Sequence, residues 1–329
     1  MEHRTLGMAG PRVSALGLGC MGMSDLYGPA DRAESLATLH AALDAGVTLL
    51  DTGDFYGMGH NELLIAEALR VRRRNVVLSV KFGALRGPDG AWLGVDGRPA
   101  AVKAFAAYSL RRLGAEVIDI YRPARLDPAV PVEETVGAIA DLVQAGYVRH
   151  IGLSEVGAET LRRAASVHPI ADLQIEYSLL SRGIEAEILP ACRALGIGVT
   201  AYGVLSRGLL GGHWQGPAAA GDFRGHSPRF QGENLARNLA LVEALRGVAA
   251  ARGATVAQVA IAWALSRGTD IVPLVGARRR DRLAESLGAL GLQLSEHDLA
   301  AIEVAVPSGA AAGARYAEAQ MASLDSERT

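Results

Sequence analysis

The chain has 329 residues, of which 33 are basic and 35 acidic, so its formal net charge is −2. This balance leaves no excess of positive charge for binding nucleic acid or an anionic membrane surface, and we expect neither partner. Half of the residues are hydrophobic and 21% are charged, which is typical of a globular protein and excludes extensive disorder. Only two of the basic residues are lysines, Lys81 and Lys103.

The apolar runs are far shorter than the roughly 20 residues that span a bilayer. No apolar signal segment follows the N-terminus, so we expect a cytoplasmic protein. The two cysteines, Cys20 and Cys192, lack the spacing of metal ligands. We therefore predict neither a disulfide framework nor a metal site.

Short apolar or β-branched runs alternate with segments of helical periodicity along most of the chain. Strands are predicted at 13–19, 47–51, 76–81, 117–121, 148–153, 172–175, 198–201 and 271–275. Helices are predicted at 32–45, 61–70, 100–113, 132–145, 158–167, 185–195, 236–267 with a break near Gly253, and 280–290. Gly46, Gly146 and Gly196 each follow a helix, where a left-handed residue would end it.

Eight strands with intervening helices favour a single (β/α)8 barrel, of the TIM type, over residues 1–329. The chain has no GxGxxG motif between its first strand and helix, which argues against a doubly wound sheet. The turn residues Gly7 and Gly10 predict a short hairpin before the first strand. Two irregular segments remain: a long loop after the seventh strand, at 208–232, and a C-terminal loop at 307–329. Such segments are usually functional loops or flexible ends.

Active sites of such barrels lie at the C-terminal ends of the strands. There, Asp51 ends the second predicted strand, Tyr56 follows it, and Lys81 ends the third. An ammonium group beside a phenol favours the phenolate and lowers the pKa of the tyrosine, and a carboxylate keeps the ammonium charged. Together the three residues would form a proton donor for a carbonyl group. The alternative is a structural ion pair between neighbouring strands, with the tyrosine only packed beside it.

A basic cluster lies at the start of the last predicted helix. It consists of Arg278, Arg279, Arg280 and Arg282. Cations at a helix N-terminus oppose the helix dipole, so an anionic partner is expected. A ribose 2′-phosphate suits guanidinium groups and the backbone donors of a helix start. The alternative is a solvated charged surface.

Residues 51–62, with the sequence DTGDFYGMGHNE, closely resemble the signature of the aldo-keto reductases. Further similar segments follow in the right order, from VSALGLGCMGM through GYVRHIGLSE and AYGVLSRGLLGG to GARRRDRLAESLGAL. The resemblance implies a (β/α)8 barrel that binds NADPH and transfers its hydride to a small carbonyl compound. By position in the motif, Tyr56 would be the general acid, Lys81 the group that lowers its pKa, and Asp51 the partner of Lys81.

The sequence departs from this family where a histidine usually completes the catalytic tetrad. The segment is IDIYRPARLDP, and the histidine position falls on Ala124. Alanine has no side-chain donor, so Arg125 or Arg122 supplies one, a water fills the space, or the substrate is not an ordinary aldehyde. Alternatively, Arg125 pairs with Asp127 as a structural contact.

The resemblance also implies contacts to the cofactor. The adenosine phosphate would be held by Gly276, Arg278, Arg282, Glu285 and Ser286, the last standing where an asparagine is common. The pyrophosphate would lie against Gly203, Leu205, Arg207 and Gly208, and the nicotinamide near Gly19, Met21, Ser154, Gln174 and Tyr202. Glu155 stands where the family usually has an asparagine that binds the nicotinamide amide.

Aromatic residues outside the strands, Trp92 and Trp214, together with the C-terminal loop, are candidates for the substrate pocket and favour an aryl carbonyl. Two other functions stay open. Ala124 is compatible with reduction of C=C or C=N bonds, as in some relatives that lack the histidine. The second is a regulatory barrel that binds NADPH with little turnover, like the barrel subunits of potassium channels. The sequence indicates no oligomeric state.

Overall fold

A computed structural model describes residues 1–24, 26–70, 72–73, 75–214, 216 and 222–328. Within these residues, eight parallel strands close a barrel, which confirms the predicted (β/α)8 fold. Parts of two predicted segments lie outside the described residues: 215 and 217–221 of the loop after the seventh strand, and 329 of the C-terminal loop.

The barrel strands occur around the barrel in chain order. They are β3 (Gly17–Gly19), β4 (Leu49–Gly53), β5 (Val77–Phe82), β8 (Ile118–Pro123), β9 (Val148–Ser154), β10 (Ile170–Glu176), β11 (Gly198–Tyr202) and β12 (Ile271–Gly276). Two antiparallel hairpins stand apart from the barrel: β1 (His3–Thr5) with β2 (Arg12–Ser14), and β6 (Ala84–Arg86) with β7 (Trp92–Val95).

The first predicted strand needs correction. Residues 13–19 do not form one strand, because the segment divides between β2, which pairs with β1, and β3, which enters the barrel. The hairpin predicted from Gly7 and Gly10 is present, and it packs Leu6 and Val13 against Leu49 at the base of the barrel. The barrel is therefore closed at its N-terminal end by apolar side chains and is open at the other end.

The helices cover the outside of the barrel, except the last and shortest one, which lies in the predicted C-terminal loop. They are α1 (Arg32–Asp44), α2 (His60–Leu69), α3 (Pro99–Leu113), α4 (Val132–Gln144), α5 (Ala158–Val167), α6 (Ile188–Leu195), α7 (Gly232–Ala251), α8 (Val256–Ser266), α9 (Arg280–Gly288), α10 (Glu296–Ala305) and α11 (Glu318–Met321). Gly46, Gly146 and Gly196 have φ angles of 85°, 82° and 67°. Each has the left-handed conformation that was expected after a helix.

Apolar side chains fill the layer between the strands and these helices. The predicted break near Gly253 separates the helices α7 and α8, and a capping box between Thr255 and Gln258 closes the N-terminus of α8. No single helix among the described residues is long and apolar enough to cross a membrane, although α7 and α8, bent by 85°, meet the limits of length and composition together.

Candidate active site

The second and third barrel strands bring Asp51 and Lys81 together. β4 and β5 run in parallel register, and the ammonium of Lys81 donates to Oδ1 of Asp51 with both side chains buried. Oδ2 of Asp51 accepts hydrogen bonds from Ser79 Oγ and Gln174 Nε2, each at 2.7 Å. Gln174 thus uses its amide N–H group on this carboxylate. The predicted pair is a buried, fully bonded ion pair at the open end of the barrel.

Tyr56 lies beside this pair in a short 3-10 turn, Tyr56–Gly59, directly after β4. Lys81 Nζ is 5.3 Å from the centre of its ring, and Phe55 packs edge-on at 4.7 Å between ring centres. Burial raises the pKa of the Tyr56 hydroxyl well above its usual value of 10, and the charge of Asp51 adds to this shift.

The sequence-based hypothesis was that Lys81 lowers this pKa. In the structure burial and the charge of Asp51 raise it, and the cation that opposes them is Arg125. The effect of Lys81 on the pKa of Tyr56 stays a prediction. Burial also lowers the pKa of Lys81 itself, and Asp51 opposes that shift. Tyr56 is consequently a neutral phenol at neutral pH, which is the protonation state that a proton donor requires.

Arg122 is deeply buried inside the barrel and is not brought to the cavity. Its Nη1 lies 3.1 Å from Oδ2 of Asp172, and its Nη2 donates to Ser79 Oγ at 2.9 Å. Ser79 links this second ion pair to Asp51. Of the two arginines considered as replacements for the tetrad histidine, Arg122 therefore forms its contacts in the interior of the barrel and does not line the cavity.

Ala124 follows β8 at the position of the missing histidine and lines the cavity. Its backbone N–H donates to the carbonyl of Phe82 at 2.8 Å. Arg125 also lines the cavity, and its Nη1 donates to the carbonyl of Ala124 at 2.6 Å. The alternative pairing with Asp127 is not formed, because that carboxylate accepts the backbone N–H groups of Gly97 and Ala129.

One cavity of about 1400 Å³ opens at the C-terminal ends of the strands. Most of the predicted site residues line it: Gly19, Met21, Asp51, Tyr56, Lys81, Trp92, Ala124, Arg125, Ser154, Gln174, Tyr202, Gly203, Leu205, Arg207, Gly208, Gly276 and Arg278. Four others do not belong to the lining: Arg282, Glu285, Ser286 and Trp214.

These four residues contact one another or other residues outside the cavity lining. Arg282 Nη1 lies 3.1 Å from Glu285, which also accepts from His213 at 3.0 Å. Ser286 Oγ donates to the carbonyl of Arg282 one helical turn earlier. The ring of Trp214 packs edge-on against Phe230, at 4.8 Å between ring centres.

The predicted basic cluster is largely neutralised by carboxylates of the protein. Arg279 pairs with Asp281 at 2.8 Å, and Arg280 pairs with Glu34 at 2.9 Å. Arg278 differs because its Nη1 donates to the backbone carbonyls of residues 27–29, at 3.1 to 3.2 Å. It is the member of the cluster that lines the cavity.

A sequence profile described as the Aldo/keto reductase family matches residues 15–306. The chain is 43% identical over 317 residues to "Probable aldo-keto reductase 1" of Glycine max, an alignment that covers 94% of this chain and 90% of that protein. The chain belongs to the aldo-keto reductase family. Membership supports a carbonyl oxidoreductase in general.

Solved aldo-keto reductases have the same fold. The glycerol dehydrogenase AKR11B4 from Gluconobacter oxydans superimposes with a TM-score of 0.85 at 29% identity, covering 92% of this chain and 94% of that one. The holo form of aldo-keto reductase AKR11C1 from Bacillus halodurans superimposes with a TM-score of 0.77 at 26% identity, covering 94% and 97%.

In this aldo-keto reductase, Glu155 binds the C-terminal loop. Oε1 and Oε2 of its buried carboxylate accept from Arg315 Nη1 at 2.9 Å and Nη2 at 2.6 Å, and Oε2 also accepts from Ser326 Oγ at 2.7 Å. Burial alone would raise the pKa of Glu155, but the hydrogen bonds and charge of Arg315 lower it to about 2. The glutamate is therefore engaged in an ion pair across 160 residues.

Tyr316 is a cavity residue that the sequence analysis missed. Its hydroxyl lies 2.9 Å from that of Tyr202, which donates to Glu155 at 2.6 Å. The guanidinium of Arg207 lies 4.1 Å from the centre of the Tyr316 ring and pairs with Glu176 at 3.1 Å. The departure at Glu155 was visible in the sequence, but nothing local to it pointed to partners in the C-terminal loop of this aldo-keto reductase.

Proposed function

We propose that this aldo-keto reductase uses NADPH to reduce the carbonyl group of a small molecule, with Tyr56 as the proton donor. The observation that carries the proposal is the convergence of Asp51, Tyr56 and Lys81 on one cavity. Its volume of about 1400 Å³ exceeds the range of about 300–1,000 Å³ that is typical of a site for one small molecule. Room therefore remains for a dinucleotide together with a substrate.

The polar groups of the cavity fit a nicotinamide carboxamide. The amide N–H of Gln174 is used on Asp51, so its carbonyl oxygen is the group left to accept from the carboxamide N–H. Ser154 contributes a hydroxyl to the same cavity and can donate to the carboxamide oxygen. The ring of Tyr202 supplies a flat wall for stacking. Because Glu155 is bound to Arg315, these residues replace the asparagine contact usual in the family.

The far end of the cavity fits the phosphate groups of the cofactor. Gly203 and Gly208 have φ angles of 66° and 102°, so the turn after β11 allows close approach to its backbone. Among the described residues, Arg278 donates its hydrogen bonds to carbonyl oxygens and to no carboxylate, which leaves its positive charge for an anion. A ribose 2′-phosphate would satisfy it, and this favours NADPH over NADH.

When bound, the reduced nicotinamide supplies the hydride for the carbonyl carbon. Tyr56 then gives its hydroxyl proton to the carbonyl oxygen, and a proton from solvent restores the phenol. The phenolate that forms in between is stabilised by the ammonium of Lys81, which Asp51 holds in place. Arg125 contributes a second positive charge near Tyr56.

Arg125 also bears on the choice between carbonyl reduction and reduction of a C=C bond. Ala124 offers no side-chain donor, but Arg125 places N–H groups next to it in the cavity. Such donors stabilise negative charge that develops on oxygen, and they give little help to an unpolarised C=C bond. The arrangement therefore favours a carbonyl substrate.

Tyr56→Phe tests the proposal. We expect turnover of NADPH with benzaldehyde or another aryl carbonyl to fall by about 10²- to 10⁴-fold, the usual contribution of a general acid. Binding of NADPH, followed by its fluorescence, should be retained. Tyr147→Phe is the matched control, because this tyrosine is half exposed on the surface. Full activity of the Tyr56 variant would overturn the assignment.

A further inference from the structure

Arg125 is a cation in the cavity without a carboxylate partner. Its Nη1 donates to the carbonyl of Ala124, and no carboxylate oxygen of the described residues lies within 4.0 Å of its guanidinium. Arginine stays protonated in proteins, and a partly buried charge is normally paired. The remaining N–H groups of Arg125 therefore face the cavity with their charge unmatched at short range.

The charged groups deeper in the barrel do not offset this cation. Asp51 pairs with Lys81, and Asp172 pairs with Arg122, so two cations match two anions. The carboxylate nearest in sequence, Asp127, accepts two backbone N–H groups instead.

The charges around the C-terminal loop are also matched to one another. Three guanidinium groups face three carboxylates there, in a cluster made of Arg207, Arg229 and Arg315 with Glu155, Glu176 and Glu327. Glu155 accepts five hydrogen bonds within its own surroundings, from Arg315, Tyr202, Ser326 and the backbone of Glu176. Its acceptor positions are filled, so Arg125 interacts with Glu155 through its charge but forms no hydrogen bond or short ion pair with it.

We propose that the substrate is a 2-oxo acid and that Arg125 binds its carboxylate. This inference rests on the carbonyl reductase function proposed above. A guanidinium forms two parallel hydrogen bonds to a carboxylate, and the contact with the Ala124 carbonyl fixes the Arg125 guanidinium beside the vacant histidine position. A carboxylate on the carbon next to the carbonyl would thus lie against Arg125 while the carbonyl oxygen faces Tyr56.

The reaction leaves the carboxylate unchanged. The hydride of the reduced dinucleotide forms a C–H bond at the carbonyl carbon, and Tyr56 provides the proton of the new O–H group. The π bond of the carbonyl is lost, the dinucleotide is oxidised by two electrons, and the product is a 2-hydroxy acid. Solvent returns one proton to Tyr56.

The cavity wall next to Tyr56 is aromatic. Phe55 packs edge-on against Trp92, at 5.7 Å between ring centres. Tyr316 also lines the cavity, and its ring centre lies 6.0 Å from the guanidinium of Arg125. Flat apolar walls suit an aryl group. Phenylglyoxylate, which carries a phenyl ring on a 2-oxo acid, is therefore the probe of choice.

The test compares phenylglyoxylate with its methyl ester, which keeps the ketone and the ring but removes the negative charge. We measure kcat/KM for both compounds with wild type and with Arg125→Gln. A charge-assisted hydrogen-bond pair supports an expected fall of about 10- to 100-fold in the acid-to-ester ratio of the variant. Reduction of the ester should fall as well, because Arg125 also lies near the charge that develops on the carbonyl oxygen, so the acid-to-ester ratio, and not either rate alone, measures the contact with the carboxylate.

Two further variants make the result specific. Arg125→Lys keeps the charge without the planar guanidinium group and should give an intermediate ratio. If Arg125→Gln shows no thermal unfolding transition, and so is not folded, the lysine variant is compared with wild type instead. Arg237→Gln removes an arginine that is 71% exposed on α7, and it should leave the ratio unchanged.

The outcomes separate this inference from the proposed function. If Arg125→Gln lowers kcat/KM for acid and ester equally, Arg125 does not recognise a carboxylate and the inference is wrong, although carbonyl reduction stands. If wild type reduces neither compound nor benzaldehyde, the proposed function fails. In that case Arg125 is tested by binding of phenylglyoxylate with NADP+ present, measured by quenching of tryptophan fluorescence. Equal binding by wild type and Arg125→Gln overturns the carboxylate site. Weaker binding by the variant supports it.

Discussion

β4 and β9 are each followed directly by a residue with a carboxyl group, Asp54 and Glu155. The pKa values of these two groups are shifted in opposite directions. After β4, burial raises the pKa of Asp54 to about 7, and the charge of Glu62 adds to the shift. After β9, burial would again raise the pKa, but Arg315 lowers that of Glu155 to about 2. The presence of a bonded cation, rather than burial, decides the ionisation state.

The β4 and β9 sides of the barrel also differ in how they are built. On the β4 side, Asp51, Tyr56 and Lys81 lie within one strand, its following turn and the neighbouring strand. On the β9 side, Glu155 depends on Arg315, which reaches it from the C-terminal loop. We infer that the β4 side carries the chemistry and that the β9 side holds the loop over the cavity.

The largest effect is expected for Lys81→Met. This change leaves Asp51 buried without its cation and removes the ammonium beside Tyr56, so carbonyl reduction should fall by about 10²- to 10⁴-fold. Thermal stability should fall as well. Combining Lys81→Met with Asp51→Asn should recover most of the stability, measured by thermal unfolding, without recovering activity. Recovered activity in the double variant would show that the pair is structural only.

The second prediction concerns the β9 side. Arg315→Met leaves Glu155 as an unpaired buried charge, which should lower the free energy of unfolding by about 3–5 kcal/mol. Urea denaturation at pH 7 measures the change. The double variant Glu155→Gln, Arg315→Met should lie much closer to wild type, because no buried carboxylate then lacks a cation: Glu176 keeps Arg207 and Arg229, and Glu327 is 40% exposed. A single variant as stable as wild type would contradict the role assigned to this pair.

The ion pair between Glu155 and Arg315 also makes the stability of the protein depend on pH. Glu155 has a folded-state pKa of about 2, below its ordinary value of 4.5. The stability it contributes is therefore fully present above pH 4.5 and is lost as the pH falls towards 2. In Glu155→Gln this loss should be absent over the same pH range.

The fold was predictable from the sequence because its signals are local. Seven of the predicted strands overlap a single barrel strand, and helix-ending glycines such as Gly146 have the expected conformation. The error at 13–19 has a local cause as well: one apolar run supplies both β2 and β3, and periodicity alone does not reveal where the chain turns from the hairpin into the barrel.

The candidate site was predictable to the extent that it lies in short motifs. Asp51 and Lys81 were placed together by strand order alone. Gln174 was expected at the nicotinamide, and its hydrogen bond to Asp51, a residue 123 positions away, follows from the closure of the barrel. The partners of Glu155 and the unpaired state of Arg125 likewise depend on distant segments. Local spacing carries no information on such contacts.

The smallest effect is expected at Asp54. Oδ1 of Asp54 and Oε1 of Glu62 are both buried and have no hydrogen-bond partner within the described part of the chain, and Arg112 binds the other oxygen of Glu62. With a folded-state pKa of about 7, against an ordinary value of 3.8, Asp54 keeps a proton that the unfolded chain has released. Its stabilising contribution is present below about pH 4 and is lost as the pH rises towards 7.

Asp54→Asn keeps a polar side chain that does not titrate. Relative to wild type, this variant should therefore gain stability as the pH rises from about 4 to about 7, with no further gain above that. Urea denaturation at pH 5 and pH 8 measures the difference, and Asp141→Asn, at an exposed carboxylate on α4, is the control. If the two variants differ from wild type by the same amount at both pH values, Asp54 is ionised in the folded protein. Asp54 and Glu155 would then differ in position but not in ionisation state.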